Sequence, residues 1–399
     1  MRRRNALQGL AGLLLAGCGS PAAVPDRATP QIGRTLDRRA AALLRRDESG
    51  YLAAVDPTAH ALRAAQRAEF RNLADVPLSS WAYHLGPVRR TGDRATVQAD
   101  LRYRIAGYDS APVSTPRTLE LRERHGRWYV TADRPGEDGA QALWQQGPVT
   151  AVRGSHSLVL GAGQGDTVLR SVSAVADAAV PAVNAAWPGP WAHRVVVLVP
   201  GSLAAMAALL GAPAAGYTGI AAVTTGETGG SGATPADRII VNPEAYAELG
   251  DFGQHIVLTH ETTHVATRTV TSAATPTWLS EGFADWAAYR TSDRTAAQIA
   301  PELRAAVQLG HVPATLPDDE DFAFGGDADR LAQAYEGGWL ACELIATRWG
   351  DRHLTDFYRA VGEHGGRDGA VENALNDVLK TTPDDFTALW RGYLRKRLG

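Results

Sequence analysis

His260-Glu261-Thr262-Thr263-His264, followed a short linker later by Trp278-Leu279-Ser280-Glu281-Gly282-Phe283-Ala284-Asp285, decides how this chain is read. On a helix, positions i and i+4 share a face, so two imidazoles four residues apart can reach one ion. Glu261 lies about 100° round from His260. It can work on water at that ion without lying in line as a ligand. This is the H-E-x-x-H pattern of zinc hydrolases, in which the glutamate is the general base. A chain of this composition matches it by accident roughly once in a hundred cases. The rest of the sequence must therefore supply a third ligand, a transition-state donor and a suitable compartment.

The compartment is written at the start. Residues 1–20 carry Arg2, Arg3 and Arg4, an apolar stretch from Leu10 to Ala16, and then Leu15-Ala16-Gly17-Cys18. Such a segment reads as a secretory signal, too short to span as a mature helix. Leu-Ala-Gly-Cys resembles the bacterial lipobox. That resemblance implies a signal over residues 1–18, lipid on Cys18 and attachment to the cell membrane on its extracytoplasmic face; an ordinary cleaved signal is the alternative. Several acyl chains on one residue anchor stably where one would not. The second cysteine, Cys342, lies in a helical stretch and reads as a buried small hydrophobe. A formal net charge of −3 gives no electrostatic case for a nucleic-acid partner. The oligomeric state is not legible.

At 399 residues the chain has room for two ordinary domains. Residues 19–33, rich in Pro and Ala, read as a tether. Residues 34–75 have helical periodicity through Leu36, Ala40, Leu43, Leu62 and Phe70. Period-two alternation over 95–105, 117–123 and 126–130 predicts antiparallel strands. The expectation is a small α+β accessory domain over 34–145, resembling SnoaL-like cone domains by pattern alone, with a boundary near Pro135-Gly136. His84 and His125 read as surface or satisfied histidines.

From residue 150 to 399 the pattern changes. Strands are expected at 157–161, 194–200, 217–223 and 238–243. A helix over 168–187 should be kinked or interrupted at Pro181, and Ser202 should cap another. Thr224 to Pro235 reads as a loop, and Pro243 as a strand stop or an edge marker. An exposed edge strand beside the metal helix would bind extended peptide by strand addition; a plain core strand is equally compatible. The metal helix is expected from Asp251 to Thr269, and a second helix with Thr275 as N-cap and Pro276 in its first turn. His255, five residues before His260, falls on another face.

Three protein ligands and an open position make a catalytic zinc site. A metzincin is excluded: no His follows His264 until His311, and no Met follows it at all. Trp-Leu-Ser-Glu-Gly-Phe-Ala-Asp resembles the glutamate-ligand segment of the gluzincins, the thermolysin and aminopeptidase N superfamily. The resemblance implies Glu281 as third zinc ligand beside His260 and His264. It also implies Asp285 as the carboxylate that orients a zinc histidine. Ala334-Tyr335-Glu336-Gly337-Gly338-Trp339 resembles the Tyr-Glu-Lys-Gly segment of aminopeptidase N, which implies Tyr335 as oxyanion donor. Gly337 replaces the lysine there, and aromatic packing is the other reading of Tyr335. The Gly-Ala-Met-Glu-Asn exopeptidase motif is absent, and neither Glu227 nor Glu244 sits in a recognisable amine-binding context. The resemblance covers roughly residues 155–398, its specific motifs confined to 260–285 and 334–350.

The expectation is thus an α+β protein. A small accessory module precedes a gluzincin-like domain with a mixed sheet, a metal helix and a C-terminal helical bundle. The implied activity is Zn2+-dependent hydrolysis of a peptide or protein substrate outside the cytoplasm, with Glu261 as base and Tyr335 as donor. The alternative is an inactive peptidase-like lipoprotein that scaffolds envelope partners.

Overall fold

A computed structural model describes residues 28–136, 140–225, 237–323 and 327–399. The signal segment, Cys18 and most of the tether lie outside the described residues. Helix α1 spans Ala28–Leu44, so the tether expected over 19–33 must end earlier. The reason is burial: Ala28, Ile32, Leu36, Ala40 and Leu43 form one apolar stripe with almost no exposure. Pro30 sits in the first turn, where its missing N–H costs nothing.

Helices α2 (Glu48–Leu52) and α3 (His60–Asn72) follow. Then comes a four-stranded antiparallel meander of β1 (Leu78–Thr91), β2 (Arg94–Ile105), β3 (Val113–Arg124) and β4 (Arg127–Pro135). Strand β2 alternates as expected, with Ala95, Val97, Ala99, Leu101, Tyr103 and Ile105 all buried. Strand β1 is an addition to the sequence reading. Gly86-Pro87 hides it, and the structure absorbs that pair as a register shift between Leu85 and Val88 on an edge strand, where proline is tolerated. Helices before a meander make the expected α+β module; nothing in the structure adds to the SnoaL-like cone comparison.

The boundary near Pro135-Gly136 is not a gap in packing. Helix α4 (Leu143–Gln146) and strand β5 (Val149–Arg153) open the second sheet. Trp144 of α4 packs its ring on Trp81 at 5.7 Å and edge-on to Tyr103 at 5.0 Å. One apolar cluster joins Tyr51, Leu73 and Trp81 of the first module to Leu158, Leu160 and Val196 of the second.

The second sheet has the order β5-β6-β7-β9-β8, with β6 (Ser157–Ala162), β7 (Val195–Val199), β8 (Ala222–Thr225) and β9 (Arg238–Val241). Strands β6, β7 and β9 are parallel, while β5 and β8 run antiparallel at the two edges. Helix α5 (Asp166–Ala186) crosses from β6 to β7 and contains Pro181 within one continuous helix, so of the kink or interruption expected there the interruption does not occur. Helix α6 (Leu203–Leu210) is capped by Ser202, whose hydroxyl accepts from the Ala205 amide at 3.2 Å.

Two expected strands move. Residues 214–217 form a 3-10 turn, and β8 begins only at Ala222 and continues through Thr224 and Thr225. Strand β9 ends at Val241, before Pro243, but it is not an edge; Pro243 is the first residue of helix α7 (Pro243–Glu248), capped by Asn242. The edge strand beside β9 is β8.

After the sheet come the helices α8 (Asp251–Thr267), α9 (Thr277–Tyr289), α10 (Ala296–Ile299), α11 (Pro301–Gln308), α12 (Ala328–Trp349), α13 (Asp351–Gly362), α14 (Ala370–Ala374) and α15 (Pro383–Leu398). Phe283, Leu340, Phe357, Phe386 and Trp390 are among the fully buried side chains of their common core, as is Cys342. Among the described residues no helix is long and apolar enough to cross a membrane.

Candidate metal centre

Helix α8 is buried on one face and lines a cleft with the other. Its rear face is small and hydroxylated: Thr259, Thr262, Thr263, Ala266 and Thr267 are all buried. Two hydroxyls donate one turn back along the helix, Thr263 to Thr259 at 2.8 Å and Thr267 to Thr263 at 3.0 Å, and Thr271, past its end, donates to the Thr267 carbonyl at 3.1 Å. Helix α5 packs against α8. On the opposite face His260 and His264 point together. The helix ends at Thr267, two residues before the expected Thr269.

The N-cap expected at Thr275 is not made. Pro276 holds the cap position of α9 without a side-chain bond, and the Thr275 hydroxyl accepts from the Ser272 amide at 3.2 Å instead. Helix α9 nevertheless presents Glu281 and Asp285 on one face, toward α8. It reaches that place by an unusually close crossing with α12. A Cβ on Gly282 would strike the backbone of Gly338, and one on Gly338 would come within 2.6 Å of the Trp278 carbonyl oxygen. Gly338 is one of the two glycines beside Tyr335.

Three ligand atoms converge. His260 Nε2 lies 3.0 Å from His264 Nε2 and 3.1 Å from Glu281 Oε2, and His264 Nε2 lies 3.4 Å from the same oxygen. Zinc bonds of about 2.1 Å in a tetrahedron put neighbouring ligand atoms about 3.4 Å apart. The triangle therefore matches one face of such a site, and two imidazoles with one carboxylate suit zinc. Behind it, His260 Nδ1 meets Asp285 Oδ1 at 2.8 Å. This leaves Nε2 for the centre, the tautomer a metal ligand requires.

The charges agree. Burial alone would lower the His260 pKa, but Asp285 and Glu281 outweigh it and raise it well above the usual value. Burial would raise that of Glu281, but His264 and His260 hold it well below the ordinary carboxylate range. Each group keeps its opposite neighbour charged, an arrangement in which a divalent cation can take the place of the shared protons.

The centre opens into a cleft of about 740 Å³ that is walled by β8, α8, α9 and α12. Glu261 and Tyr335 both line it. Glu261 Oε2 accepts from the Thr224 hydroxyl of β8 at 2.6 Å. The Tyr335 ring packs edge-on to Phe322 at 5.1 Å. Burial, and then the carboxylates of Glu281, Asp285 and Glu261, push its pKa up, so its hydroxyl stays a donor.

Sequence reasoning missed two contributors. Thr224 falls where a loop was expected, although the β-branched run Val223-Thr224-Thr225 carries a strand signal. Arg268 lines the same cleft and pairs with Asp237 at 3.0 Å. His84 on β1 and His125 in the β3–β4 turn belong to the first module, and His255 is not among the lining residues. Glu244 accepts from the Leu203 amide at the start of α6, and Glu227 lies outside the described residues.

No protein-family model matches the chain, and no curated protein matches it. Among solved structures, a zinc metallopeptidase of the M1 type from Deinococcus radiodurans, determined as a mutant with a Tyr-Ser-Ala substrate, is similar at 16% identity. The match covers 69% of this chain and 59% of that one, with a TM-score of 0.33. A two-domain M1 zinc metallopeptidase mutant bound to L-arginine is similar at 16% identity, over 70% of this chain and 60% of that one, with a TM-score of 0.34. A SEC-C motif protein from Rhodopseudomonas palustris matches at 19% identity over 27% of this chain and 91% of its own, with a TM-score of 0.20. The chain thus spans about 60% of the length of the M1 peptidases it matches. With TM-scores this far below 0.5, the chemistry of the site has to be read from its own residues.

Proposed function

We propose that this chain is a zinc-dependent peptidase working outside the cytoplasm, held at the membrane through lipid on Cys18. The observation that carries the reading is the triangle of His260, His264 and Glu281, with Asp285 behind His260 and Glu261 at its rim. His260, His264 and Glu281 would hold the ion. Zinc, when bound, supplies Lewis acidity, which polarises a scissile carbonyl and makes water more acidic.

The chain's own groups do the rest. Glu261 takes a proton from the attacking water and delivers it to the leaving amine nitrogen. Tyr335 donates its hydroxyl hydrogen to the oxyanion as the carbonyl becomes tetrahedral. Asp285 keeps His260 in the ligating tautomer. Among the described residues β8 pairs only with β9, and Ala222, Val223 and Thr224 line the cleft, so its outer edge is placed to take an extended peptide by strand addition. The cleft's largely apolar walls of Ile256, Tyr289, Leu331 and Trp339 exclude water around that peptide.

The test is casein or peptide-library hydrolysis by the purified protein with and without chelator, beside zinc quantification. The expected result is about one zinc per chain, chelator-sensitive cleavage, and a Glu261→Gln variant that keeps zinc and loses turnover. Retained turnover in Glu261→Gln, or protein that binds no zinc, would overturn the reading.

A further inference from the structure

We propose that Thr224, on the edge strand, is a positioning residue for Glu261; the inference rests on Glu261 being the general base. The Thr224 hydroxyl lies 2.6 Å from Glu261 Oε2 and 3.1 Å from the backbone carbonyl oxygen of the same residue. Both neighbours of the hydroxyl on Glu261 are acceptors, so the direction of the bond is settled: Thr224 donates. The shorter contact has the length of a charge-assisted O–H···O⁻ bond.

The consequence is orientational. A free glutamate has three rotatable bonds, and a base must hold one oxygen toward the water it deprotonates. Thr224 engages Oε2, which leaves Oε1 for that work. Glu261 itself is 8% exposed, so few other partners compete for the anchored oxygen.

Thr224 is also well fixed. It pairs in register with Ile239 of β9, and the next residue, Thr225, donates its hydroxyl to the Arg238 carbonyl at 3.3 Å. The same strand borders the cleft where a peptide would add. A substrate strand paired along β8 would therefore clamp the residue that aims the base, so binding and alignment share one element.

The experiment compares the full chain with Thr224→Val, Thr224→Ala and Thr224→Ser. Val keeps the β-branched shape, Ala removes it, and Ser keeps the hydroxyl. The expected result is a fall in kcat of roughly 10- to 100-fold for Val and Ala with KM nearly unchanged, and recovery to within a few-fold for Ser. Zinc content should be equal in all four proteins. Crystal structures of the metal-free proteins give a readout independent of turnover: the Glu261 carboxylate should leave its place in Thr224→Val and keep it in Thr224→Ser. An unmoved Glu261 in Thr224→Val, or wild-type kcat in that variant, would overturn the proposal. If the wild-type protein shows no chelator-sensitive turnover, the peptidase reading fails, while the metal-free structures still decide whether Thr224 holds Glu261.

Discussion

Asp109, in the turn after β2, grips Arg238 at the start of β9 with both carboxylate oxygens, at 2.9 and 2.7 Å. The side chains are 1% and 6% exposed, so this is a buried ion pair across the two modules. Asp109 also accepts from the Ile105 amide at 2.7 Å, which fixes it on its own strand. One residue before Arg238, Asp237 pairs with Arg268 just past α8. The first module thus holds β9, the strand beside edge strand β8, and the residue just before β9 holds the segment that follows α8. Removing one partner of such a pair leaves an uncompensated buried charge, whereas replacing both with apolar groups is often neutral. Asp109→Ala should lower stability by about 3–5 kcal/mol in denaturant titrations, and Asp109→Leu with Arg238→Met should recover most of it. Equal stability of Asp109→Ala and the wild type would show that the modules are not joined there.

The crossing of α9 and α12 predicts a second effect. Gly282 and Gly338 each face backbone of the other helix at distances no Cβ can occupy. An alanine at Gly338 must push the helices apart, and overpacking of this kind costs about 1–3 kcal/mol. Glu281 rides on α9 and Tyr335 on α12, so the same movement spreads the site. Gly338→Ala should therefore lose thermal stability and bind zinc more weakly, measured by chelator competition. A destabilised variant with unaltered zinc affinity would separate the crossing from the metal centre.

What was legible follows from range. The pairs His260/His264 and Glu281/Asp285 are legible because i and i+4 on a helix is a local rule, while the joining of the two pairs in one centre is implied by the gluzincin resemblance of the segment Trp278 to Asp285. The contact from Thr224 to Glu261 spans 37 residues and depends on which strand is the edge, which no local period encodes. Strand β1 was lost because Gly86-Pro87 looks like a break, while a bulge on an edge strand accommodates it. The tether expected over 19–33 is too long because Pro and Ala content dominates those residues, yet Ala28 and Ile32 are buried with Leu36, Ala40 and Leu43 as part of α1. The shared core of Tyr51, Trp81 and Trp144 was invisible for the same reason as Thr224: its members meet only after both modules have folded.

Glu336 gives a pH dependence. Its carboxylate accepts from the Leu303 amide at 2.6 Å and the Glu302 amide at 3.3 Å, at the start of α11. Burial, reinforced by the Glu302 side chain and opposed by the Leu303 amide, pushes its pKa up to about 8. The unfolded chain releases this proton near pH 4.5, so between there and about pH 8 the folded state binds more protons than the unfolded one. Stability from this group is full below the unfolded pKa and is lost as pH rises through the folded one. Glu336→Gln cannot ionise and keeps an acceptor for the amides. Its stability relative to the wild type should rise from pH 5 to pH 8, at a slope of up to about 1.4 kcal/mol per pH unit. Denaturant titrations at several pH values check it, and a pH-independent difference would show that the carboxyl is not held neutral.

Substituting Asp285 tests the candidate metal centre without altering any of its three ligand side chains. Its Oδ1 lies 2.8 Å from His260 Nδ1, and its side chain is 16% exposed, so water replaces it poorly. Without it, His260 is free to exchange tautomers and to rotate, and a metal-binding imidazole loses basicity. Asp285→Ala should weaken zinc affinity by roughly 10- to 100-fold, while Asp285→Asn, which still offers an acceptor oxygen, should lose less. Zinc affinity measured against a competing chelator is the readout. The comparison with Glu281→Ala matters here, since loss of a ligand should empty the site where loss of an orienting group only loosens it. If Asp285→Ala and Glu281→Ala lose zinc equally, Asp285 is itself a ligand; if Asp285→Ala binds as tightly as the wild type, the contact with His260 contributes nothing to holding the ion.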